Sequence, residues 1–89
     1  MENIKISVIQ FSKYHEIEPQ FVIDLYENGL VVLSKLDQEY FIEEDHLTQV
    51  EKYVRFHYDL GINLEGIEVI HRLLSEISSL QNQLRQIES

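Results

Sequence analysis

The stretch DLGINLEGI, residues 59–67, decides the fold of this 89-residue chain. Gly61 is suited to the end of a helix, because glycine adopts the left-handed backbone conformation without a steric penalty. Asn63, two residues later, is suited to the start of a new helix, where its side chain accepts a hydrogen bond from a backbone amide. The stretch therefore predicts a junction between two helices.

The helix after the junction is predicted to run for about 25 residues, with Gly66 in its first turn. Apolar residues recur along it at alternating spacings of three and four, the pattern of a coiled coil. At 1.5 Å per residue it extends ~37 Å, more than so small a domain can cover. We therefore expect it to form a homodimer with a second chain, although folding back onto its own domain is the alternative. The predicted dimerisation residues are Ile70, Leu73, Ile77, Leu80, Leu84 and Ile87.

Two short helices are predicted near the start of the chain. Ser7 is placed to cap a helix over Val8 to His15, whose apolar residues share one face. Pro19 suits the first position of a second helix, which is predicted to end at Asn28-Gly29. A tight turn joins the two helices.

A β-hairpin and a third helix are predicted between these helices and the junction. The apolar runs at residues 30–33 and 40–42 have the composition of strands, with polar residues between them. Helical periodicity then extends over residues 43–60, with acidic residues in the first turn, where the helix dipole favours them. We expect a single mainly α-helical domain at residues 1–62, followed by a dimerisation helix at residues 63–89.

The composition is strongly acidic and lacks cysteine. Sixteen acidic and 7 basic residues give a formal net charge of −9. This balance opposes the clustered positive charge that neutralises phosphates, so direct nucleic-acid binding is disfavoured. Without cysteine there is neither a disulfide framework nor a thiolate zinc site. An apolar segment long enough to span a bilayer and a secretory signal pattern are both missing from the sequence, so we expect a cytoplasmic protein without a membrane association.

No catalytic motif stands out. The sequence has no glycine-rich phosphate loop, no nucleophile elbow and no pair of histidines at metal-ligand spacing. We expect its four histidines to be surface or half-buried side chains rather than ligands, and we expect no cofactor. A binding or regulatory module fits the sequence better than an enzyme.

The predicted order of elements resembles the winged helix-turn-helix of MerR-type regulators, with a small β-hairpin as the wing and a long C-terminal coiled-coil helix. The junction at residues 59–67 is similar to the "ELGFSLEEI" junction of that family. Ser7-Val8, Pro19 and Gly29-Leu30 match positions where its first two helices begin and end. The resemblance covers nearly the whole chain.

The departures from that family fall on the elements that touch DNA. DNA-binding members carry an Arg-Tyr-Tyr-Glu run on the second helix and arginines on the wing. This chain has Ile23-Asp24-Leu25-Tyr26 and Glu39 at those positions. Residues 1–42 contain three basic and seven acidic residues, a net charge of −4, so the resemblance implies the fold without a phosphate-binding surface.

The chain is more similar to the CbpM-type chaperone modulators, which share this fold and small size. The similar residues are Glu44-Asp45-His46, Val54-Arg55, Asp59 and Gly66-Ile67, followed by the leucine-rich heptads. This resemblance implies that the chain binds the J-domain of a DnaJ-like (CbpA-type) co-chaperone and inhibits its activity. J-domains present a basic second helix, so an acidic surface would be attracted to it.

The acidic residues of the second and third helices are the candidate contacts to this partner. They are Asp24, Glu27, Glu43, Glu44, Asp45 and Glu51. For any one of them, a role as a solvating surface charge is the alternative. Two other functions stay open: a divergent MerR-like transcriptional regulator that binds DNA, and an assembly adaptor that acts only by dimerising.

Overall fold

The computed structural model describes residues 4–88, and these form four helices and three short strands. The architecture is mainly α-helical, as the sequence predicted. In chain order the elements are β1 (Lys5–Ser7), α1 (Val8–His15), α2 (Pro19–Glu27), β2 (Ser34–Leu36), β3 (Glu39–Glu43), α3 (Glu44–Tyr58) and α4 (Leu64–Glu88).

The helix-turn-helix is formed by α1 and α2. The Ser7 hydroxyl accepts a hydrogen bond from the amide of Gln10 at 3.0 Å, which confirms the predicted cap. Pro19 is the first residue of α2, also as predicted. At the other end of α2, Gly29 has a φ of 74° and the Leu30 amide donates to the Leu25 carbonyl at 2.9 Å. This left-handed termination turns the chain back towards the core.

The sheet has the strand order β1-β3-β2, with both pairs antiparallel. Strand β1 was not predicted, because three residues are too few to show an alternating pattern. The Ile4 carbonyl accepts a hydrogen bond from the Glu44 amide at 2.9 Å and extends the β1 pairing to the start of α3. Both edges of β3 are therefore paired with a neighbouring strand.

The predicted strand at residues 30–33 is wrong. Leu30, Val31 and Leu33 are buried, but they form an irregular segment rather than a strand. An apolar run of this length predicts burial, and here the segment is buried without its backbone pairing with a strand of the sheet. The first strand of the hairpin is instead the more polar β2, and the second prediction, residues 40–42, lies within β3.

The two strands of the hairpin, which we call the wing (residues 34–43), are joined by a two-residue turn. Asp37 and Gln38 have φ angles of 51° and 66°. Two consecutive positive φ angles match the right-handed twist of the flanking strands. The turn therefore projects Gln38 and Glu39 at the tip of the wing.

The junction between α3 and α4 follows the prediction. Helix α3 is shorter than the predicted residues 43–60, because Glu43 belongs to β3 and Asp59 and Leu60 form the turn. Gly61 has a φ of 69°, and Asn63 Oδ1 accepts from the Gly66 amide at 2.8 Å.

Gly66 leaves no room for a side chain beside the same cap. A Cβ at that position would lie 2.7 Å from Ile62 Cγ2 and 3.2 Å from Asn63 Oδ1. Any larger residue would therefore push against Ile62 and, less closely, against the Asn63 side chain that caps α4. The glycine in the first turn of α4 keeps the capping geometry intact.

One apolar core joins α1, α2, the irregular segment, β3, α3 and the first turns of α4. Its members are Val8, Phe11, Phe21, Val22, Leu25, Leu30, Val31, Leu33, Ile42, Val50, Tyr53, Val54 and Ile67. Ile67 is the α4 member of this core. No helix over residues 4–88 combines the length and the apolarity needed to cross a membrane.

Helix α4 leaves the core after its first turns. Ile70 is half-buried, whereas Leu73 is 51% exposed and Ile87 is 80% exposed. The remaining seam residues, Ile77, Leu80 and Leu84, are also at least half exposed. In a single chain the predicted dimerisation residues beyond Ile70 therefore form an uncovered apolar stripe.

Candidate partner-binding surface

Aromatic contacts fix the orientation of α2 on the end of α3. The Phe21 ring stacks on His57, with 4.4 Å between the ring centroids, and meets the Tyr58 ring edge-on. His57 Nδ1 lies 2.8 Å from the Ile62 carbonyl, which can only accept, so this nitrogen carries the proton. The Glu18 amide also donates to Tyr58 Oη, at 3.4 Å. The start of α2 is thus packed against the end of α3.

The outer face of α2 carries no positive charge. The helix sequence PQFVIDLYE contains neither lysine nor arginine. Gln20, Ile23, Asp24 and Glu27 follow one another at helical spacing, and of these Ile23 also packs against the edge of the core. Gln20 Nε2 donates to Asp24 Oδ1 at 2.9 Å, which holds both side chains in place. The face therefore offers carboxylates and an apolar side chain.

A groove of about 330 Å³ lies between this face and the wing, and we call it the wing groove. Three separate segments of the chain supply its walls: the start of α1, the start of α2 and the tip of the wing. Five of its eight lining residues are apolar or aromatic. The lining residues are Val8, Ile9, Pro19, Gln20, Ile23, Gln38, Glu39 and Tyr40.

The aromatic wall of the wing groove is contacted by two neighbouring side chains. The Tyr40 ring lies 5.4 Å from the Tyr26 ring, measured between centroids. Lys35 Nζ lies 5.1 Å from the centroid of the same ring, within cation–π range. Lys35 is the only basic residue of the wing, and its ammonium group is engaged with Tyr40.

The six predicted contact residues are distributed over three places. Asp24 and Glu27 lie on the outer face of α2, and Glu43, Glu44 and Asp45 lie at the boundary of β3 and α3. Glu43 is half-buried and opposite Lys5 in the strand register, whereas Glu44 and Asp45 are exposed. Only the α2 pair belongs to the face that forms the wing groove.

Glu51 lies on the side of α3 that meets α1. Its Oε2 is 3.8 Å from His15 Nε2. Both residues line a second groove of about 450 Å³, together with Arg55 and Asp59. The charges in that groove are mixed, so it differs in character from the wing groove.

Most of the acidic side chains have no counter-charge. In the part of the chain that the structure describes, the only close contact between a basic side chain and a carboxylate is that of His15 and Glu51. Lys5 and Lys35 lie over the rings of Phe41 and Tyr40 instead of pairing with carboxylates. The negative charge of Asp24, Glu27 and Glu39 is therefore available to a partner.

Sequence reasoning found the acids of this surface but missed its apolar part. Ile9 is 57% exposed, and Ile23 and Tyr40 are half-buried. Ile9 was detectable in principle, because it departs from the face that Val8 and Phe11 share. The groove itself was not detectable, since it depends on how α1, α2 and the wing converge.

A buried polar contact connects α3 to α4. Tyr53 is fully buried, and its hydroxyl accepts from Gln49 Nε2 at 2.8 Å. The same hydroxyl lies 2.7 Å from His71 Nδ1. Burial raises the pKa of Tyr53 above the ordinary value of 10.0, while the hydrogen bond from Gln49 acts in the opposite direction.

The four histidines are all half-buried. Among residues 4–88 there is no group of three or more histidine and acidic side chains that could hold a metal ion. His57 and His71 are engaged in the structural contacts described above.

Comparison with known proteins identifies the family. No curated protein and no solved structure gives a significant match to the chain. A family model described as MerR HTH family regulatory protein matches residues 6–89, which is nearly the full length. The match includes the helix-turn-helix, the wing and α4. The chain belongs to the MerR helix-turn-helix family of regulatory proteins.

Proposed function

We propose that this chain is a chaperone modulator that binds the J-domain of a DnaJ-like co-chaperone of the CbpA type and inhibits its activity. One observation supports this above the others. The α2 and wing surface, on which the DNA-binding relatives carry arginines, here presents Asp24 and Glu27 on α2 and Glu39 in the lining of an apolar groove. Such a surface repels a duplex and suits a basic protein.

The mode of inhibition is competition. J-domains use a basic second helix to engage Hsp70, so a protein that covers this helix blocks that engagement. The net charge of −9 would accelerate the encounter with a basic helix, and salt would weaken this steering. The contact residues under this proposal are Asp24, Glu27, Glu43, Glu44, Asp45 and Glu51.

The active form under this proposal is a homodimer. The seam residues beyond Ile70 are at least half exposed in the single chain. Pairing the α4 helices would remove this apolar stripe from water. Two copies of the acidic surface would then be present in one molecule.

The test is titration calorimetry of the purified chain with the isolated J-domain of a CbpA-type co-chaperone at several salt concentrations. We expect binding that weakens as salt increases. The double variant Asp24→Lys/Glu27→Lys should bind at least about tenfold more weakly, a loss of 1.4 kcal/mol or more. The control is Glu65→Lys/Glu76→Lys, which makes the same change in net charge on exposed positions of α4.

The outcomes separate a local contact from a general charge effect. Equal weakening in both double variants would mean that net charge alone attracts the J-domain. Absence of binding at low salt would contradict the proposed function. Two results together would support the proposal. Affinity for the J-domain should fall only in the α2 variant, and the wild-type chain should reduce the stimulation of Hsp70 ATPase activity by the J-domain.

A DNA-binding regulator is the second candidate, and membership of the MerR helix-turn-helix family favours it. The discriminating experiment is a gel shift with duplex DNA at low salt. Retardation of the duplex by the isolated chain would favour this candidate over the chaperone modulator. We expect none, because α2 has no basic residue and the single lysine of the wing lies over Tyr40.

A further inference from the structure

We propose that the wing groove is an anchor pocket that receives one apolar side chain of a cationic partner helix, while carboxylates at its edge contact flanking lysines or arginines. This inference rests on the proposed function, and it names the part of the acidic surface that does the binding. It also assigns binding roles to Ile9, Ile23 and Tyr40, which charge alone does not indicate.

The shape and chemistry of the groove fit an apolar side chain. Its volume of about 330 Å³ is enclosed mainly by apolar and aromatic groups from α1, α2 and the wing. Exposed apolar patches bordered by polar residues are characteristic of interaction sites, and a central apolar anchor provides much of the energy of helix-in-groove recognition.

The groove is already formed in the free chain. The Tyr40 ring contacts both the Tyr26 ring and the Lys35 ammonium group. On the opposite wall, Gln20 is fixed by its hydrogen bond to Asp24. Because these side chains are ordered before the partner arrives, less conformational entropy is lost on binding.

The charge around the groove selects a positively charged occupant. Glu39 lines it, and Asp24 and Glu27 lie on the same face of α2. No described residue forms an ion pair with any of these three acids. An acidic or neutral helix would leave these carboxylates without a counter-charge, whereas lysines or arginines one helical turn from the anchor would neutralise them.

The second groove of the domain is a poorer fit for this occupant. The groove between α1 and α3 contains both Arg55 and Glu51, and His15 already contacts that glutamate. A cationic helix placed there would meet a positive charge and compete with an existing contact. The observations therefore favour the wing groove over the Glu51 region.

The test combines a groove variant with a matched surface variant. Ile9→Asn makes the groove polar at a side chain that is 57% exposed, so the fold should tolerate the change. Leu60→Asn makes the same kind of change at a side chain that is 66% exposed and lies outside the groove. Ile23→Asn is a second groove variant on α2, with its fold checked by circular dichroism.

The measurement is titration calorimetry with the isolated J-domain at low and high salt. Ile9→Asn and Ile23→Asn should weaken binding by about tenfold at both salt concentrations, because an apolar contact is not screened. Asp24→Lys/Glu27→Lys should instead weaken binding mostly at low salt. Leu60→Asn should bind as the wild type does.

Each other outcome overturns the inference. If both groove variants bound the J-domain with wild-type affinity, the anchor proposal would be contradicted, whereas J-domain binding through the acidic residues would not. Equal loss in Leu60→Asn would show that the effect is not specific to the groove. A change in oligomeric state on sedimentation of the groove variants would mean that a second copy occupies the groove. Failure of the wild type to bind any J-domain would contradict the proposed function as well.

Discussion

The two ends of α4 have opposite environments although apolar residues recur at helical spacing in both. Ile67, the fourth residue of the helix, is fully buried, whereas Leu80 and Leu84 of the distal seam are 63% and 56% exposed. The first turns pack into the core with α3, and the rest of the helix extends past it. Periodicity therefore shows that a helix has an apolar face without showing what covers that face.

Truncation after Leu74 should have the largest effect on assembly. It removes the distal seam but no core residue, since Ile67 is the α4 member of the core. We expect a folded monomer whose self-association is weaker by at least about 1,000-fold, or 4.1 kcal/mol. Sedimentation equilibrium measures the association, and circular dichroism checks the fold. A dimer that survives the truncation would contradict the role of the distal seam.

A pair of leucine-to-alanine variants compares how the core and the distal part of α4 contribute to the free energy of unfolding. Leu25 is completely buried, so Leu25→Ala should lower the free energy of unfolding by about 3 kcal/mol. Leu80→Ala removes the same atoms from an exposed position and should act only through association. Urea unfolding at two protein concentrations distinguishes them, since only the Leu80→Ala effect should vary with concentration. Equal, concentration-independent losses would show that the distal helix packs on its own domain.

Tyr53→Phe tests the contact that holds the start of α4 to α3. Loss of the hydroxyl removes the bonds to Gln49 and His71 and should cost about 1 kcal/mol near pH 7.

The same residue gives a pH dependence. The pKa of Tyr53 is raised in the folded state, so the unfolded chain loses this proton first, at the ordinary value of 10.0. Its stabilising contribution is full below pH 10 and is lost as the pH rises through the folded-state pKa. Urea midpoints measured between pH 8 and 11 should decline less steeply for Tyr53→Phe than for the wild type. Parallel declines would contradict this assignment.

Glu16→Gly should have the smallest effect, and it should be stabilising. Glu16 ends α1 with a φ of 57°, a left-handed conformation that costs a residue with a side chain about 1 kcal/mol. Thermal unfolding should show an increase in stability of about 0.5–1 kcal/mol. The matched control is Glu18→Gly, at a φ of −76°, which should not stabilise the chain. An increase in both variants would indicate an effect of charge rather than of backbone conformation.

Local signals predicted the helices accurately and the strands poorly. Ser7, Pro19 and Asn63 act within three residues of their own positions, so their roles are visible in the sequence. Strand β1 needs β3, which is more than 30 residues away, and therefore leaves no local signal. The run at residues 30–33 was misassigned because burial and strand formation favour the same side chains.

The candidate surface was also predictable only in part from the sequence. Composition identified the acids of α2 and the missing arginines, because charge is a property of each residue. It did not identify which acids share a face, and the six predicted contacts fall in three places.

The sequence by itself determined the helix-turn-helix, the junction at residues 59–67, the seam of α4 and the negative charge, since each depends on neighbours along the chain. Only the tertiary structure decided that β1 pairs with β3, that residues 30–33 enter the core without forming a strand, and that the start of α1, the start of α2 and the wing tip enclose one groove. These features depend on contacts between segments far apart in sequence, which no local period encodes.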